Sequence, residues 1–439
     1  MRVTLSAAMC LCALASSLHG QYVVDSTLLL PKEDMRWWRD AKFGLFIHYG
    51  LYSVLGRGEW VMWDEQMDTA EYAKTRERFT CDRYDATQWV GIAKEAGCRY
   101  MVVTARHHDG FSLFDTQCGE YDARHSAANR DLIAEYLAAA HAAGMRTGIY
   151  YSPLDWRYPG FFFPEFYRTS AEEMKKQTYT QVRELLTHYG TVDILWYDGG
   201  EDFWLGFGGL QWDSGKGWYR RGIDKPYTGK FSWEPIRLNT IVRALQPKIV
   251  ISQRSGWMGD FDSQEVHFKG RPPDDRPWEF CTLLGGDAWG WTPASAKSVM
   301  SLDSCIQLLV MVVSQDGNLL LNVGPRGDGS IEPAEVQRLK EIGGFLSKYG
   351  ESIYSTRGGI YDPQWGGTTA TSHAVYVHVL KVPPDRSVRI PPLARKVMAA
   401  EYLRDNRPAT VVQTATGISL VDLPDRRGEP DLIVRLRLE

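Results

Sequence analysis

From about residue 40 to residue 350, short and almost wholly apolar runs alternate with longer stretches whose apolar positions recur every three or four residues. The runs Phe43–Tyr49, Tyr100–Ala105, Thr147–Tyr151, Asp193–Tyr197, Lys248–Ser252 and Leu319–Val323 predict strands, with a weaker run at Phe280–Leu284. Between them, Trp89, Ile92, Ala93 and Ala96 share one helical face before Gly97, and Leu132, Ile133, Tyr136, Leu137 and Ala140 do so before Gly144. Ser170-Ala-Glu-Glu173 has the spacing of a capping box, opening a helix that runs to Gly190. Later helices are expected over 235–245, 303–314 and 333–349. Strands this apolar must be covered on both faces, so repeated βα units imply a parallel sheet. Without a Gly-x-Gly-x-x-Gly after any strand, a (β/α)₈ TIM-type barrel is favoured over a doubly wound sheet. Seven strands are counted and the eighth is inferred.

After Tyr354 the pattern changes to short β-forming runs, 374–380 and 432–438, among Pro-Pro and Gly-Glu-Pro punctuation. The expected division is a catalytic barrel over 21–354 and a C-terminal β-sandwich over 355–439. The long Gly- and Trp-rich stretch 201–229 reads as a functional loop. At the start, Arg2 precedes an apolar stretch from Leu5 to Leu18 and then small residues, the pattern of an export signal over 1–20. Cleavage after Ala15 or Gly20 would give a secreted or periplasmic protein. Five cysteines remain beyond that signal, too few for a dense disulfide scaffold and in no zinc spacing, with one or two bridges left open.

A formal net charge of −4 in 439 residues gives no footprint for nucleic acid or an anionic membrane. Tryptophan, at 16 residues, suits either a large core or the apolar face of a sugar ring. Strand ends decide more, because barrel chemistry gathers there. Successive strands end in His48, in His107-His108-Asp109, in Tyr150-Tyr151, in Trp196-Tyr197-Asp198 and in Arg254. The position of Asp198 favours catalysis over turn capping. A metal set of His107, His108 and Asp109 is disfavoured, since adjacent strand residues face opposite ways and no His-x-His spacing occurs. No metal or cofactor is expected.

Five segments then carry a resemblance: Phe43-Gly-Leu-Phe-Ile-His48-Tyr-Gly50, Gly58-Glu-Trp60, His107-His-Asp-Gly-Phe111, Leu195-Trp-Tyr-Asp198-Gly and Asn318-Leu-Leu-Leu-Asn-Val-Gly-Pro325. In this order they resemble the signatures of the α-L-fucosidases of glycoside hydrolase family twenty-nine. The resemblance implies exo-acting, retaining hydrolysis of terminal α-L-fucose from fucosylated glycans or glycoconjugates, with Asp198 as nucleophile. It implies that His48, Glu59, Trp60, His107, His108, Tyr151 and Trp196 bind the sugar, and that Arg254 sits beside the reaction centre. For the acid/base it points first to Glu265, then to Glu279 and Glu59, because the family's Thr-Pro-Glu-like segment is altered here. Tyr49 stands where the family usually has Trp, and Arg106 where it has Lys. Two other readings remain: a related barrel glycosidase for α-L-galactosides, or a carbohydrate-binding relative without activity.

Overall fold

The computed structural model describes residues 23–162, 164, 167–199, 232–265 and 267–439; the export pattern and the loop 201–229 fall outside them. Eight strands form one sheet: β1 (Phe43–Ile47), β2 (Tyr100–Arg106), β3 (Arg146–Tyr151), β4 (Ile194–Tyr197), β5 (Val250–Ile251), β6 (Asp262–Glu265), β7 (Trp278–Leu283) and β8 (Asn318–Val323). Their order is β5-β4-β3-β2-β1-β8-β7-β6, and every pairing is parallel. The sheet is curled, and one parallel bridge, Ser252 to Phe261, links its two edge strands. The strand that sequence patterning missed is β6, whose Asp-Ser-Gln-Glu has no apolar run to betray it.

Alternation sorts the side chains. Phe46, Val102, Tyr150, Trp196, Cys281 and Leu320 pack together on the concave face, while their chain neighbours Leu45, Val103, Ile149, Leu195 and Leu321 join the larger core beneath the helices. Helices Ala86–Glu95 and Leu132–Ala142 are capped by Asp85 and Asp131, which accept from Gln88 N and Ala134 N. Gly97 and Gly144 follow them with φ of 84° and 66°, conformations that cost glycine least. Helices Pro235–Leu245, Leu302–Val313 and Pro333–Tyr349 lie where periodicity placed them. The capping box does not form. Its helix begins at Arg168, and the Ser170 hydroxyl instead accepts from Gly160 N at 3.1 Å.

Beyond the sheet, β9 (Arg357–Asp362), β10 (Gly366–Ala370), β11 (Ala374–Val379), β13 (Val397–Tyr402) and β16 (Leu432–Leu438) make a five-stranded antiparallel sheet. β12 (Val388–Ile390), β14 (Thr410–Thr414) and β15 (Gly417–Val421) make a three-stranded one. Val377, Val434 and Leu436 of the first pack with Ile390, Ile418 and Leu420 of the second, the facing-sheet arrangement of a sandwich. Cys81, Cys98, Cys118, Cys281 and Cys305 are all free thiols, which removes the bridges left open above. No helix among the described residues is long and apolar enough to cross a membrane.

Candidate active site

At the C-terminal ends of the strands lies a cavity of about 190 Å³. Its aromatic wall is Phe46, Tyr150, Trp196, Trp60 and Trp289; its polar lining is His48, His107, His108, Asp198, Arg254 and Glu265. The sheet register explains the selection. Tyr150 pairs with Trp196 across β3 and β4, and cross-strand partners share a face, so both rings enter the cavity and stack 5.7 Å apart. Tyr151 pairs with Tyr197 and is thereby turned to the helix side. There its hydroxyl meets the Arg106 guanidinium at 2.9 Å and Gln181 Oε1 at 2.9 Å, off the cavity lining. Tyr150 takes the place expected of Tyr151.

The histidine expectation also changes. β2 ends at Arg106, so His107 and His108 lie in irregular backbone, and both rings face the cavity 4.1 Å apart. Asp109 turns away and accepts from the Tyr72 hydroxyl at 2.7 Å. Among the described residues, the group whose ligand atoms approach within 4.8 Å of one another is His107, His108 and Asp198. The Asp198 carboxylate is satisfied without an ion: Tyr150 donates to Oδ2 at 2.6 Å, His108 Nε2 stands 3.3 Å from the same oxygen, and Arg254 Nη1 reaches Oδ1 at 3.1 Å. A cation there would face the fixed positive charge of Arg254.

Burial alone would push the Asp198 carboxyl up, but the Arg254 guanidinium, then His108 and Tyr150, hold it well below the usual carboxylate range. Burial lowers His48 to about 4, against the opposing pull of its bond to Asn322, so its ring is neutral at pH 7. His107 is lowered well below its ordinary value by burial and by the neighbouring His108. An ionised carboxylate and neutral imidazoles suit a nucleophile surrounded by donors and acceptors for hydroxyl groups.

The three glutamates separate cleanly. Glu265, at the end of β6, lines the cavity and pairs with the same Arg254 Nη1 that holds Asp198. Glu59 is buried outside the cavity lining, where Oε2 accepts from Gly290 N at 2.7 Å; burial, partly offset by that bond, raises it to about 7. Glu279 is buried below the cavity, bound to the Tyr100 hydroxyl and to Trp196 Nε1. The structure therefore gathers His48, Trp60, His107, His108, Trp196, Asp198, Arg254 and Glu265 at one cavity, and leaves Tyr151, Glu59 and Glu279 off its lining. Trp289 and Phe46 join it unforeseen. Phe46 could have been found as the residue two before His48 on the same strand face.

Two carboxylates close together beneath an aromatic wall provide the pair of acidic groups that a sugar-cleaving hydrolase needs. Comparison with known proteins narrows this. The sequence matches the α-L-fucosidase family over residues 12–351. It is 26% identical over 386 residues to the tissue α-L-fucosidase of Rattus norvegicus, covering 81% of this chain and 78% of that protein. α-L-Fucosidase isoenzyme 1 from Paenibacillus thiaminolyticus matches with a TM-score of 0.78 at 29% identity, over 93% of this chain and 99% of that one. Thermotoga maritima α-L-fucosynthase, in complex with α-L-Fuc-(1-2)-β-L-Fuc-N3, matches with a TM-score of 0.72 at 25% identity, over 93% and 97%. The chain belongs to the α-L-fucosidase family, glycoside hydrolase family twenty-nine, and is a glycoside hydrolase.

Proposed function

We propose that the protein removes terminal α-L-fucosyl residues from glycans with net retention, using Asp198 as nucleophile and Glu265 as acid/base. The observation that carries this reading is the shared Arg254 nitrogen. Two carboxylate oxygens that both touch one nitrogen lie within about 6 Å of each other, twice a hydrogen-bond length. Retaining glycosidases need their carboxyls ~5–5.5 Å apart, whereas inverting ones need ~6.5–9.5 Å to admit a water. Asp198 attacks the anomeric carbon while Glu265 gives its proton to the departing oxygen. Glu265 then takes a proton from water, which displaces Asp198. To carry that proton Glu265 must let go of Arg254, whose charge then serves Asp198 alone. The bridge between Ser252 and Phe261 supports reading the curled sheet as a closed (β/α)₈ barrel.

Hydrolysis of an aryl α-L-fucoside in chelator-treated buffer tests the substrate reading. Turnover is expected without added metal, and it should exceed that of the matching α-L-galactoside. An apolar wall rejects an added hydroxyl by only ~10²-fold, so a weak galactosidase activity is compatible. Preference for the galactoside, or binding of fucose with no turnover of either, would favour one of the two other readings. Export rests on the pattern of residues 1–20. The mass of the native protein should place its N-terminus at Ser16 or Gln21; active protein that retains Met1 would contradict secretion.

A further inference from the structure

Glu279 is a buried carboxyl that lies beneath the reaction centre and that the mechanism leaves unused. It belongs to β7 two residues before Cys281, which lines the cavity, so strand alternation puts it on the same face. Its surroundings are the concave-face rings of Tyr100 and Trp196, and it is only 1% exposed. A carboxyl in such a place costs free energy unless its bonds repay it. It makes two: Oε2 accepts from the Tyr100 hydroxyl, and Oε1 accepts from Trp196 Nε1 at 3.0 Å. Trp196 in turn touches two of the three groups that hold Asp198. Its ring stacks on Tyr150 at 5.7 Å and 14°, and the Arg254 guanidinium lies over it, 5.4 Å from the centroid.

We propose that Glu279 is a positioning residue, whose carboxyl pins the Trp196 indole so that this ring holds Tyr150 and Arg254 against Asp198. This rests on the nucleophile reading given above. Burial raises the Glu279 carboxyl to about 7, so near neutrality it accepts from both partners at modest electrostatic cost. The groups that set the charge on Asp198 are Arg254, His108 and Tyr150 in contact, with Glu265 beyond Arg254. His48 and His107 face it across the cavity from the first two strand ends. Losing the Trp196 anchor loosens two of the three contacts, so the Asp198 carboxyl should rise toward its ordinary value.

The test compares Glu279→Gln with Glu279→Leu. The amide can still accept from Trp196 Nε1, and should keep kcat within about threefold of the parent. The leucine variant should lose about 30-fold in kcat, an effect of misplacement, with KM changed far less. The acidic limb of its kcat/KM profile should move up by about half a pH unit, which damage to packing alone would not produce. If the leucine variant fails to fold, Trp196→Phe, which keeps a ring and deletes the N–H, should show the same shift of the limb. A folded Glu279→Leu or Trp196→Phe enzyme with the parental acidic limb overturns the proposal. So does azide rescue of Glu279→Leu with a retained fucosyl azide, which would make Glu279 the acid/base. An inactive Asp198→Gly beside a fully active Glu279→Leu would leave the nucleophile standing and remove only the positioning role.

Discussion

Asp198→Gly is expected to fold normally and to lose about 10⁴-fold in kcat, equivalent to about 5.5 kcal/mol of barrier. The substitution deletes the attacking oxygen and leaves Arg254, Tyr150 and His108 around an empty space. Azide should fit that space and attack the same face of the sugar. Its product from an activated α-L-fucoside should be the β-L-fucosyl azide, of inverted configuration, because one displacement replaces two. Steady-state rates with NMR of the azide product check both halves. Retention of more than a tenth of parental turnover would remove Asp198 from the role.

Glu265→Ala should separate substrates by leaving group. A natural glycan departs as a poor leaving group and needs protonation, so its turnover should fall by about 10³-fold, within the range of general acid catalysis. An aryl fucoside with an acidic phenol should pass the first step with a much smaller loss, and a fucosyl-enzyme should then accumulate for want of a base. Azide needs no base, and should restore turnover with an α-L-fucosyl azide of retained configuration. Pre-steady-state bursts on the aryl substrate measure the accumulation. The same azide experiment on Glu59→Ala ranks the buried alternative; rescue confined to that variant would move the acid/base to Glu59.

Opposite stereochemistry from the two variants would follow from one geometric fact, the two carboxylates on one guanidinium. That fact was not legible in the sequence, although both residues were. Strand ends in a parallel βα pattern pick out His48, His107, Asp198 and Arg254, because the apolar runs that precede them are long enough to see. β6 escaped for the opposite reason: Asp262-Ser-Gln-Glu265 is polar throughout, and its place beside β7 depends on backbone pairing and on contacts such as Arg276 to Asp262 at 2.9 Å.

Tyr151 shows a subtler loss. Two adjacent tyrosines at one strand end are chemically equal, and only the register against Trp196 decides that Tyr150 faces the cavity. The rule that neighbours face opposite ways separates Tyr150 from Tyr151 without saying which faces inward, and it fails for His107 and His108, where the strand has already ended. Burial is the other hidden variable. Glu59 and Glu279 look like any glutamate in a chain, and their rise to about 7 comes from walls supplied by distant segments. The Ser170 box failed locally, its hydroxyl drawn off by Gly160 N.

The most direct test of the nucleophile is to trap it. A 2-deoxy-2-fluoro-α-L-fucosyl donor with a good leaving group slows the second displacement more than it slows the first when the leaving group is reactive, so the fucosyl-enzyme should persist long enough for proteolysis and mass spectrometry. One equivalent of label per chain is expected, fragmenting to Asp198, with Glu265 unlabelled. Label on any other carboxylate would contradict it, as would an inverted sugar as the first-formed product of the unmodified enzyme.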